Sequence, residues 1–219
     1  MEFQNREDAG RQLATVLGRF KDGDTVVLAL PRGGVVVGAE VARELNLLLG
    51  VVLVRKIGHP MDPEFAIGAM SEDEPPLYNE LATIGVDRTW MKLEEEAAAE
   101  LIERRRQLYF DGGYVRPAIA GCDVIIVDDG IATGLTILAA IRWARLHGAR
   151  GVVIAAPVVS RPVVDMLSHE ADEMYVLGNP EAFRGSVGAH YYEFGQVDDL
   201  RVRQLLRKVM ANFEGTAFL

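Results

Sequence analysis

The chain has 219 residues, with 32 acidic and 23 basic side chains and a formal charge of −9. Hydrophobic residues make up 49% and charged residues 25%, which is the composition of a globular protein and excludes a disordered or fibrous chain. The negative charge argues against a protein that coats nucleic acid, because such proteins usually present a broadly basic face.

Helix and strand patterns alternate in the first part of the chain. Asn5 is suited to cap a helix over residues 6–20, where apolar side chains recur at helical spacing. Residues 25–30 and 48–54 are apolar on both faces and predict buried parallel strands. Residues 35–45 predict the helix between these strands, so the pattern indicates a β-α-β unit.

Residues 58–121 depart from this alternation. Their prolines and short acidic run predict an irregular, hairpin-rich stretch. Asp87 is suited to cap one long helix over residues 88–110, which ends at Asp111 before two glycines. We expect this segment to be a lid or hood inserted into the main sheet.

A second alternating block begins at Asp123. Its predicted strands lie at 124–127, 151–156 and 174–177. Its predicted helices lie at 133–147, from a Ser160 cap to about residue 170, and from 198 or 199 onward. Strands separated by helices are typical of a doubly wound α/β fold, a mostly parallel sheet flanked by helices. We therefore predict one domain over residues 1–219, with the segment 58–121 inserted.

The loop that ends the strand at 124–127 predicts a phosphate site. At the start of a helix several backbone N–H groups lack partners and carry a partial positive charge. Gly134 permits close approach of the backbone to a ligand, and the hydroxyls of Thr133 and Thr136 add donors. Such a loop suits a phosphate monoester. It is not a Walker loop, because it has no Gly-Lys-Ser/Thr.

Asp128 and Asp129 come directly after the same strand, at the edge where open α/β sheets bind ligands. Ionised carboxylates only accept hydrogen bonds, so the pair suits the 2′- and 3′-hydroxyls of a ribose. The alternative is structural: Asp128 is buried in the sheet edge and Asp129 caps the following turn.

The stretch 124–136 resembles the signature of the type I phosphoribosyltransferases, which bind 5-phosphoribosyl-1-pyrophosphate (PRPP). In motif detail it is most similar to the adenine-type members. The resemblance implies that Asp128 and Asp129 hold the ribose as catalytic residues. It also implies a 5-phosphate site made of consecutive loop residues: Ala132, Thr133, Gly134, Leu135 and Thr136.

Two further stretches agree with this family. Residues 30–34 resemble its pyrophosphate loop, where members often hold a cis non-proline peptide, and the resemblance implies that Arg32 and Gly33 bind diphosphate. Residues 54–60 resemble the Arg-Lys-x-Gly segment of the adenine-type enzymes, which precedes a mobile loop. There Arg55 and Lys56 would bind diphosphate, Lys56 also as a catalytic residue. Alternatively, both simply end a buried strand in water.

The resemblance implies an enzyme of nucleotide metabolism that transfers the phosphoribosyl group of PRPP to a nucleobase or related nitrogen ring. Diphosphate would leave with Mg²⁺, which is bound mainly through PRPP rather than through protein ligands. Ala132 stands where the hypoxanthine-type enzymes carry an aspartate that exchanges a proton with the base, whereas adenine- and uracil-type members also have alanine. Glu64, Glu72 or Glu74 could replace that aspartate.

The acceptor site would lie in a hood at residues 178–197. Its aromatic side chains Phe183 and Tyr191 could stack on a flat ring. Equally, these aromatic residues could pack the last helix onto the sheet.

Two other functions fit the same residues, namely a non-catalytic regulator that binds PRPP or a nucleotide, and a generic phosphosugar-binding α/β enzyme. The polar residues 1–8 are unlike a signal peptide, and no apolar run approaches the ~20 residues of a membrane span. A single cysteine, Cys122, fits a reducing compartment. We expect a cytoplasmic homo-oligomer, a dimer in the first instance, without nucleic-acid or membrane partners.

Overall fold

The computed structural model describes residues 2–111 and 114–211. Its strands are β1 (Thr25–Ala29), β2 (Leu48–Val51), β3 (Val54–His59), β4 (Asp62–Ser71), β5 (Leu77–Tyr78), β6 (Asp123–Val127), β7 (Gly151–Ala156) and β8 (Glu173–Val176). Its α-helices are α1 (Arg6–Val16), α2 (Gly33–Leu45), α3 (Arg88–Phe110), α4 (Leu135–Leu146), α5 (Arg161–Leu167) and α6 (Asp199–Ala211). Short 3₁₀ turns lie at Gly18–Phe20, Pro180–Ala182 and Val187–His190.

The main sheet has the strand order β2-β1-β6-β7-β8, and every neighbouring pair is parallel. Successive side chains of the central strands alternate between two hydrophobic cores, one on each face of the sheet. Val27 and Ile125 face a core that includes residues of α1, α2 and α6, whereas Val26 and Ile126 face a core with α4 and α5. The predicted fold class is confirmed: helices flank a parallel sheet that is buried on both faces.

Strands β1 and β6 are parallel neighbours in the sheet, and the helices that follow them lie on opposite faces of it. After β1 the chain enters α2 on one face, and after β6 it enters α4 on the other. Ligands of open α/β sheets bind in the crevice at such a switch point, outside the carboxyl ends of the strands. The backbone N–H of Leu30 donates to the carbonyl of Val127 at 3.0 Å, so the loops after β1 and β6 start side by side.

The inserted part of the chain forms a second, antiparallel sheet of β3, β4 and β5, followed by the long helix α3. Helix α3 has the predicted bounds, and the Asp87 carboxylate accepts a hydrogen bond from the backbone N–H of Trp90 at 2.8 Å. Ala98, Ile102 and Tyr109 of this helix are buried. The helix is therefore docked on the body of the protein through these side chains.

Several predicted boundaries differ from the structure. The predicted strand 48–54 is divided, because β2 ends at Val51 and Val54 already belongs to β3. Val52 and Leu53 between them are fully buried, so hydrophobicity does not mark where the strand ends. The predicted helix 6–20 is an α-helix only to Val16, and the helix predicted to reach residue 170 ends at Leu167.

Candidate active site

The loop between β6 and α4 is shaped by one glycine. Gly134 has φ +79°, a left-handed conformation that suits glycine, and it directly precedes α4. A Cβ atom there would lie 2.4 Å from Cε of Met166 and 3.0 Å from Cγ1 of Val163. The helix therefore begins at Leu135 rather than at the predicted Thr133, which lies in the loop.

The same loop is held against the start of α5. The N–H of Ile131 donates to the carbonyl of Val158 at 2.9 Å, and the N–H of Ser160 donates to the carbonyl of Ile131 at 3.0 Å. The Ser160 hydroxyl donates to the carbonyl of Ala132 at 2.9 Å. Ser160 was predicted only as a helix cap, but its side chain supports the phosphate loop and makes no capping bond.

The backbone N–H groups of residues 132–136 have no hydrogen-bond acceptor among residues 2–111 and 114–211. The hydroxyls of Thr133 and Thr136 likewise have no partner within those ranges. Ala132 and Thr133 are exposed, and Leu135 opens α4. This is a cluster of donors at the positive end of a helix, as an anion site requires.

Asp128 and Asp129 lie beside this loop, and each uses one carboxylate oxygen within the protein. Oδ1 of Asp128 accepts from the backbone N–H of Asp129 at 2.9 Å, and Oδ2 of Asp129 accepts from Nε of Arg6 at 2.6 Å. The two side chains also interact with each other, since a hydrogen bond with the Asp128 carboxyl group lowers the pKa of Asp129. Carboxyl oxygens in this position can in addition accept hydrogen bonds from the neighbouring hydroxyl groups of a ligand.

The two carboxyl groups differ in their electrostatic surroundings. Burial raises the pKa of Asp128 well above its usual range, and the nearby charge of Asp129 raises it further. Burial also raises the pKa of Asp129, but the Arg6 guanidinium opposes that effect. Of the two acids, Asp129 therefore has the positively charged partner.

The start of α2 packs directly against these acids. A Cβ atom on Gly33 would lie 1.9 Å from Oδ2 of Asp129, and one on Gly34 would lie 2.8 Å from Oδ1 of Asp128. Only glycine leaves room for both carboxylates at these positions. The predicted pyrophosphate loop and the acid pair are thus in contact.

Arg32 lies in this loop, and the peptide bond between Pro31 and Arg32 is cis, as the resemblance implied. The Arg32 guanidinium has no ion pair or hydrogen bond with the described residues. Burial and a hydrogen bond to Asp199 raise the pKa of Tyr109, while the charges of Arg105 and Arg32 act in the opposite direction. Helix α3 of the insertion therefore brings Tyr109 within reach of the charge of Arg32 in the predicted pyrophosphate loop.

Strand β3 separates the two cations of the Arg-Lys segment. Lys56 is paired with Ala69 of β4 and shares a strand face with Val54, which packs against a cluster containing Leu135 of α4. Arg55 is exposed and, by strand alternation, points to the opposite face. Lys56 is thus on the side of the hairpin that faces the phosphate loop, and Arg55 is not.

The predicted hood at 178–197 covers the carboxyl end of β6. A Cβ atom on Gly130 would lie 2.5 Å from Cγ1 of Val187 in the hood. The hood also pairs with the N-terminal segment, since the N–H of Phe3 donates to the carbonyl of His190 at 2.9 Å and the N–H of Tyr192 donates to that of Phe3 at 2.9 Å. The first residues of the described chain thus help to hold the hood in place.

Tyr191 has a packing role in the hood. Tyr191 is only 8% exposed to solvent. The centre of its ring lies 5.4 Å from the centre of the Phe3 ring and 4.9 Å from that of Phe194. Its hydroxyl donates to the backbone carbonyl of Asp129 at 2.6 Å. Tyr191 therefore packs against Phe3 and Phe194, which is neither of the two roles expected for it from the sequence. Base stacking stays a prediction for Tyr191 and for the half-buried Phe183.

The phosphoribosyl transferase domain model matches residues 3–191. The chain belongs to this family. A Mycobacterium tuberculosis protein, provisionally named a phosphoribosyl transferase, is 41% identical over 212 residues, which are 96% of this chain and 48% of that protein. The chain therefore spans about half the length of this curated relative.

Two other similar proteins extend the comparison. The crystal structure of TT1426 from Thermus thermophilus is 40% identical with a TM-score of 0.78, and the match covers 95% of this chain and 99% of that one. A ribose-phosphate pyrophosphokinase of Sulfurisphaera tokodaii is 33% identical over 153 residues, 63% of this chain and 51% of that protein. The phosphoribosyl transferase fold thus extends over nearly the whole chain.

Not all sequence candidates of this phosphoribosyl transferase domain reach the site. The buried Glu72 carboxylate accepts from the N–H of Leu53 at 3.1 Å and pairs with Arg116. The carboxylate oxygen Oε2 of Glu74 lies 3.7 Å from Nη2 of Arg142 in α4. Both side chains are engaged away from the acid pair, so neither fits as the replacement base, and the side chain of Glu64 lies outside the described part.

Residues absent from the sequence prediction complete the site. Arg6 contacts Asp129, Ser160 supports the phosphate loop, and Tyr109 lies near Arg32. None of them stands in a motif, so no local signal could have identified them. No helix of the described residues is long and apolar enough to cross a membrane.

Proposed function

We propose that this chain transfers the 5-phosphoribosyl group of PRPP to a ring nitrogen of a nucleobase or related heterocycle and releases diphosphate. One observation carries the proposal: the amides of residues 132–136, which have no acceptor among residues 2–111 and 114–211, lie next to the carboxyl groups of Asp128 and Asp129. A phosphorylated ribose carries the matching groups: a terminal phosphate monoester for the amides and a neighbouring diol for the acids.

In this proposal the amides and the hydroxyls of Thr133 and Thr136 bind the 5-phosphate. Asp128 and Asp129 bind the ribose hydroxyls by hydrogen bonds, and the ionised Asp129 stabilises the positive charge that develops on the sugar. Arg32 donates charge-assisted hydrogen bonds to the diphosphate. Gly33 allows the loop to approach the acids closely.

The reaction is a displacement at the anomeric carbon. The bond between C1′ and the diphosphate oxygen breaks, and its electron pair leaves with the diphosphate. The lone pair of the acceptor nitrogen forms the new bond to C1′, and the proton of that nitrogen passes to the released diphosphate or to water. The protein contributes position and charge, which are the main sources of rate in such a transfer.

Magnesium enters this reaction with the substrate. Diphosphate and ribose oxygens are hard ligands suited to Mg²⁺, and the ion would neutralise the charge of the leaving group. The described residues contain no group of three or more His, Cys, Asp or Glu side chains that could hold a metal ion. Arg32 and Lys56 would act on the same diphosphate from the protein side.

The acceptor is proposed to enter between the acids and the hood, where Phe183 could stack on it. Alanine at position 132 fits an adenine-like or uracil-like acceptor better than a 6-oxopurine, because the aspartate of the hypoxanthine-type enzymes is missing. A cytoplasmic location and a homo-oligomer, a dimer first of all, stay predictions.

The test is turnover of PRPP labelled in its ribose, incubated with Mg²⁺ and a panel of adenine, uracil, hypoxanthine and related rings. A labelled nucleotide together with released diphosphate supports the proposed transfer. Binding of PRPP without product from any acceptor would support the regulatory alternative instead. Absence of PRPP binding would exclude both functions and leave a generic phosphosugar site.

The control for this assay is Arg55→Ala. Arg55 is exposed and points away from α4, so its removal should leave turnover near the wild-type rate. Lys56→Ala, one residue further on the other face of β3, should lower kcat at least tenfold because it removes a charge from the diphosphate. Equal effects of the two substitutions would contradict the assignment of Lys56.

A further inference from the structure

We propose that Arg6 is a positioning residue that keeps the Asp129 carboxylate ionised and aimed at the ribose, an inference that rests on the function proposed above. The observation behind it is a contact between the first residue of α1 and the acid at the end of β6. Nε of Arg6 lies 2.6 Å from Oδ2 of Asp129, and both side chains are largely buried.

Arg6 itself is fixed from three directions. Its Nη1 donates to the carbonyl of Gly195 at 2.8 Å. Its guanidinium carbon lies 3.7 Å from the centre of the Phe194 ring, which is a cation–π contact. A Cβ atom on Gly33 would lie 2.9 Å from its Nε. The guanidinium therefore has little room to move away from Asp129.

The contact leaves the acid available for a ligand. Arg6 contacts Oδ2 of Asp129, and within residues 2–111 and 114–211 no cation contacts Oδ1. The backbone of Asp129 is held separately, because its N–H donates to Asp128 and its carbonyl accepts from Tyr191. Arg6 thus limits the rotation of the carboxylate from one side and leaves the other side without a cationic partner among the described residues.

Arg6 also decides the charge of this acid. The titratable groups that act on Asp129 within the described residues are Arg6 from α1, Asp128 from the same loop and Tyr191 from the hood. Burial disfavours the ionised carboxylate of Asp129, whereas the Arg6 guanidinium and a hydrogen bond with the Asp128 side chain favour it. Of these three groups, Arg6 alone is a cation, and its charge is the largest favourable effect on the ionised form of Asp129.

The test compares Arg6→Gln, Arg6→Lys and the wild type by calorimetric titration with magnesium-PRPP between pH 6 and 9. We expect Arg6→Gln to weaken binding at least tenfold at pH 6.5 and to regain part of that loss as pH rises, because the ionised form of Asp129 is then more populated. Arg6→Lys should restore part of the affinity, since it keeps the charge but loses the planar contact.

Arg11→Gln is the matched control. Arg11 lies on the same helix, its side chain is 48% exposed, and its nearest carboxylates, Asp8 and Glu40, are 3.9 and 3.8 Å away. This variant should keep the wild-type affinity and pH profile. If Arg6→Gln also kept both, or lost affinity equally at every pH, the inference would be overturned.

A second measurement separates this inference from the proposed function. The ¹³C carboxyl resonance of Asp129, assigned with Asp129→Asn, is titrated in the ligand-free protein. We expect its midpoint to rise by at least one pH unit in Arg6→Gln and by less in Arg6→Lys. A wild type that fails to bind PRPP contradicts the proposed function alone, whereas an unchanged midpoint contradicts the role of Arg6.

Discussion

The phosphate loop and the acid pair are adjacent in sequence, yet the protein builds them in different ways. The loop offers backbone amides at the start of α4, and Gly134 with its left-handed φ of +79° fixes their arrangement. The acids offer side chains whose charge and direction depend on distant residues. Arg6 is 123 positions from Asp129, and Tyr191 is 62 positions from it.

The two parts of the site should therefore be sensitive to different substitutions. A backbone donor cluster depends on local geometry, so substitutions near Gly134 should disturb it most. A buried carboxylate depends on what compensates its charge, so substitutions in α1, in the hood or in the pyrophosphate loop should reach it. The predictions below test whether the two regions can be damaged separately.

The largest effect is expected for the double variant Asp128→Asn/Asp129→Asn. Hydrogen bonds to charged groups contribute about 1.5–3 kcal/mol each, so PRPP binding should weaken by about a hundredfold or more. Inorganic phosphate should still bind at the loop with nearly unchanged affinity. Isothermal titration calorimetry with both ligands checks this, and an equal loss for both would show that the loop and the acids are not independent.

A smaller but sizeable effect is expected for Gly33→Ala. The new Cβ would lie 1.9 Å from Oδ2 of Asp129, so the acid or α2 must move. We expect about a tenfold loss in PRPP affinity and a loss of about 1–3 kcal/mol in the free energy of unfolding. Urea denaturation and calorimetry measure the two quantities.

The matched control for that variant is Gly18→Ala. A Cβ atom on Gly18 would meet nothing within 4 Å. This variant should therefore keep both the affinity and the stability of the wild type. A Gly33→Ala protein that bound PRPP as tightly as Gly18→Ala would contradict the tight packing of α2 against the acids.

On the loop side, Thr133→Val and Thr136→Val should each weaken phosphate binding about fivefold. Each removes one hydroxyl donor, and a typical hydrogen bond contributes about 1 kcal/mol. Thr15→Val is the control, since the Thr15 hydroxyl donates to the carbonyl of Arg11 at 3.2 Å on the exposed side of α1. If neither loop variant weakened binding of inorganic phosphate, the side-chain part of the site would be wrong.

The smallest effect concerns stability and its dependence on pH. Because burial raises the pKa of Asp128 above the ordinary 3.8, the folded state retains a proton that the unfolded state has lost. Stability therefore falls as pH rises from that ordinary value through the folded pKa. Asp128→Asn should raise Tm by about 2–4 °C at pH 7.5, and the gain should shrink toward pH 4.

Asp129→Asn provides the contrast for this prediction. It leaves the Arg6 guanidinium buried without its carboxylate, which costs free energy. We expect no rise in Tm at pH 7.5 for this variant. Thermal unfolding monitored by circular dichroism across pH 4 to 8 distinguishes the two acids, and parallel curves would contradict the assigned role of Arg6.

Much of the fold followed from local pattern. Helix α3 and strand β7 have the predicted bounds, because a capping aspartate and a β-rich run between turns are local signals. The division of the apolar run at Val51 was missed, since Val52 and Leu53 are buried whether or not they belong to the sheet. The left-handed Gly134 likewise moved the start of α4 past Thr133.

The order of strands and helices, the acid pair and the loop of amides between β6 and α4 could all be predicted from local sequence. These features depend on side-chain periodicity and on backbone geometry over a few residues. The folded chain was needed to show that Arg6 pairs with Asp129, that Tyr191 packs in the hood and that Arg55 and Lys56 lie on opposite faces of β3. Charge compensation and burial are set by residues far apart in the chain, and local pattern carries no record of those contacts.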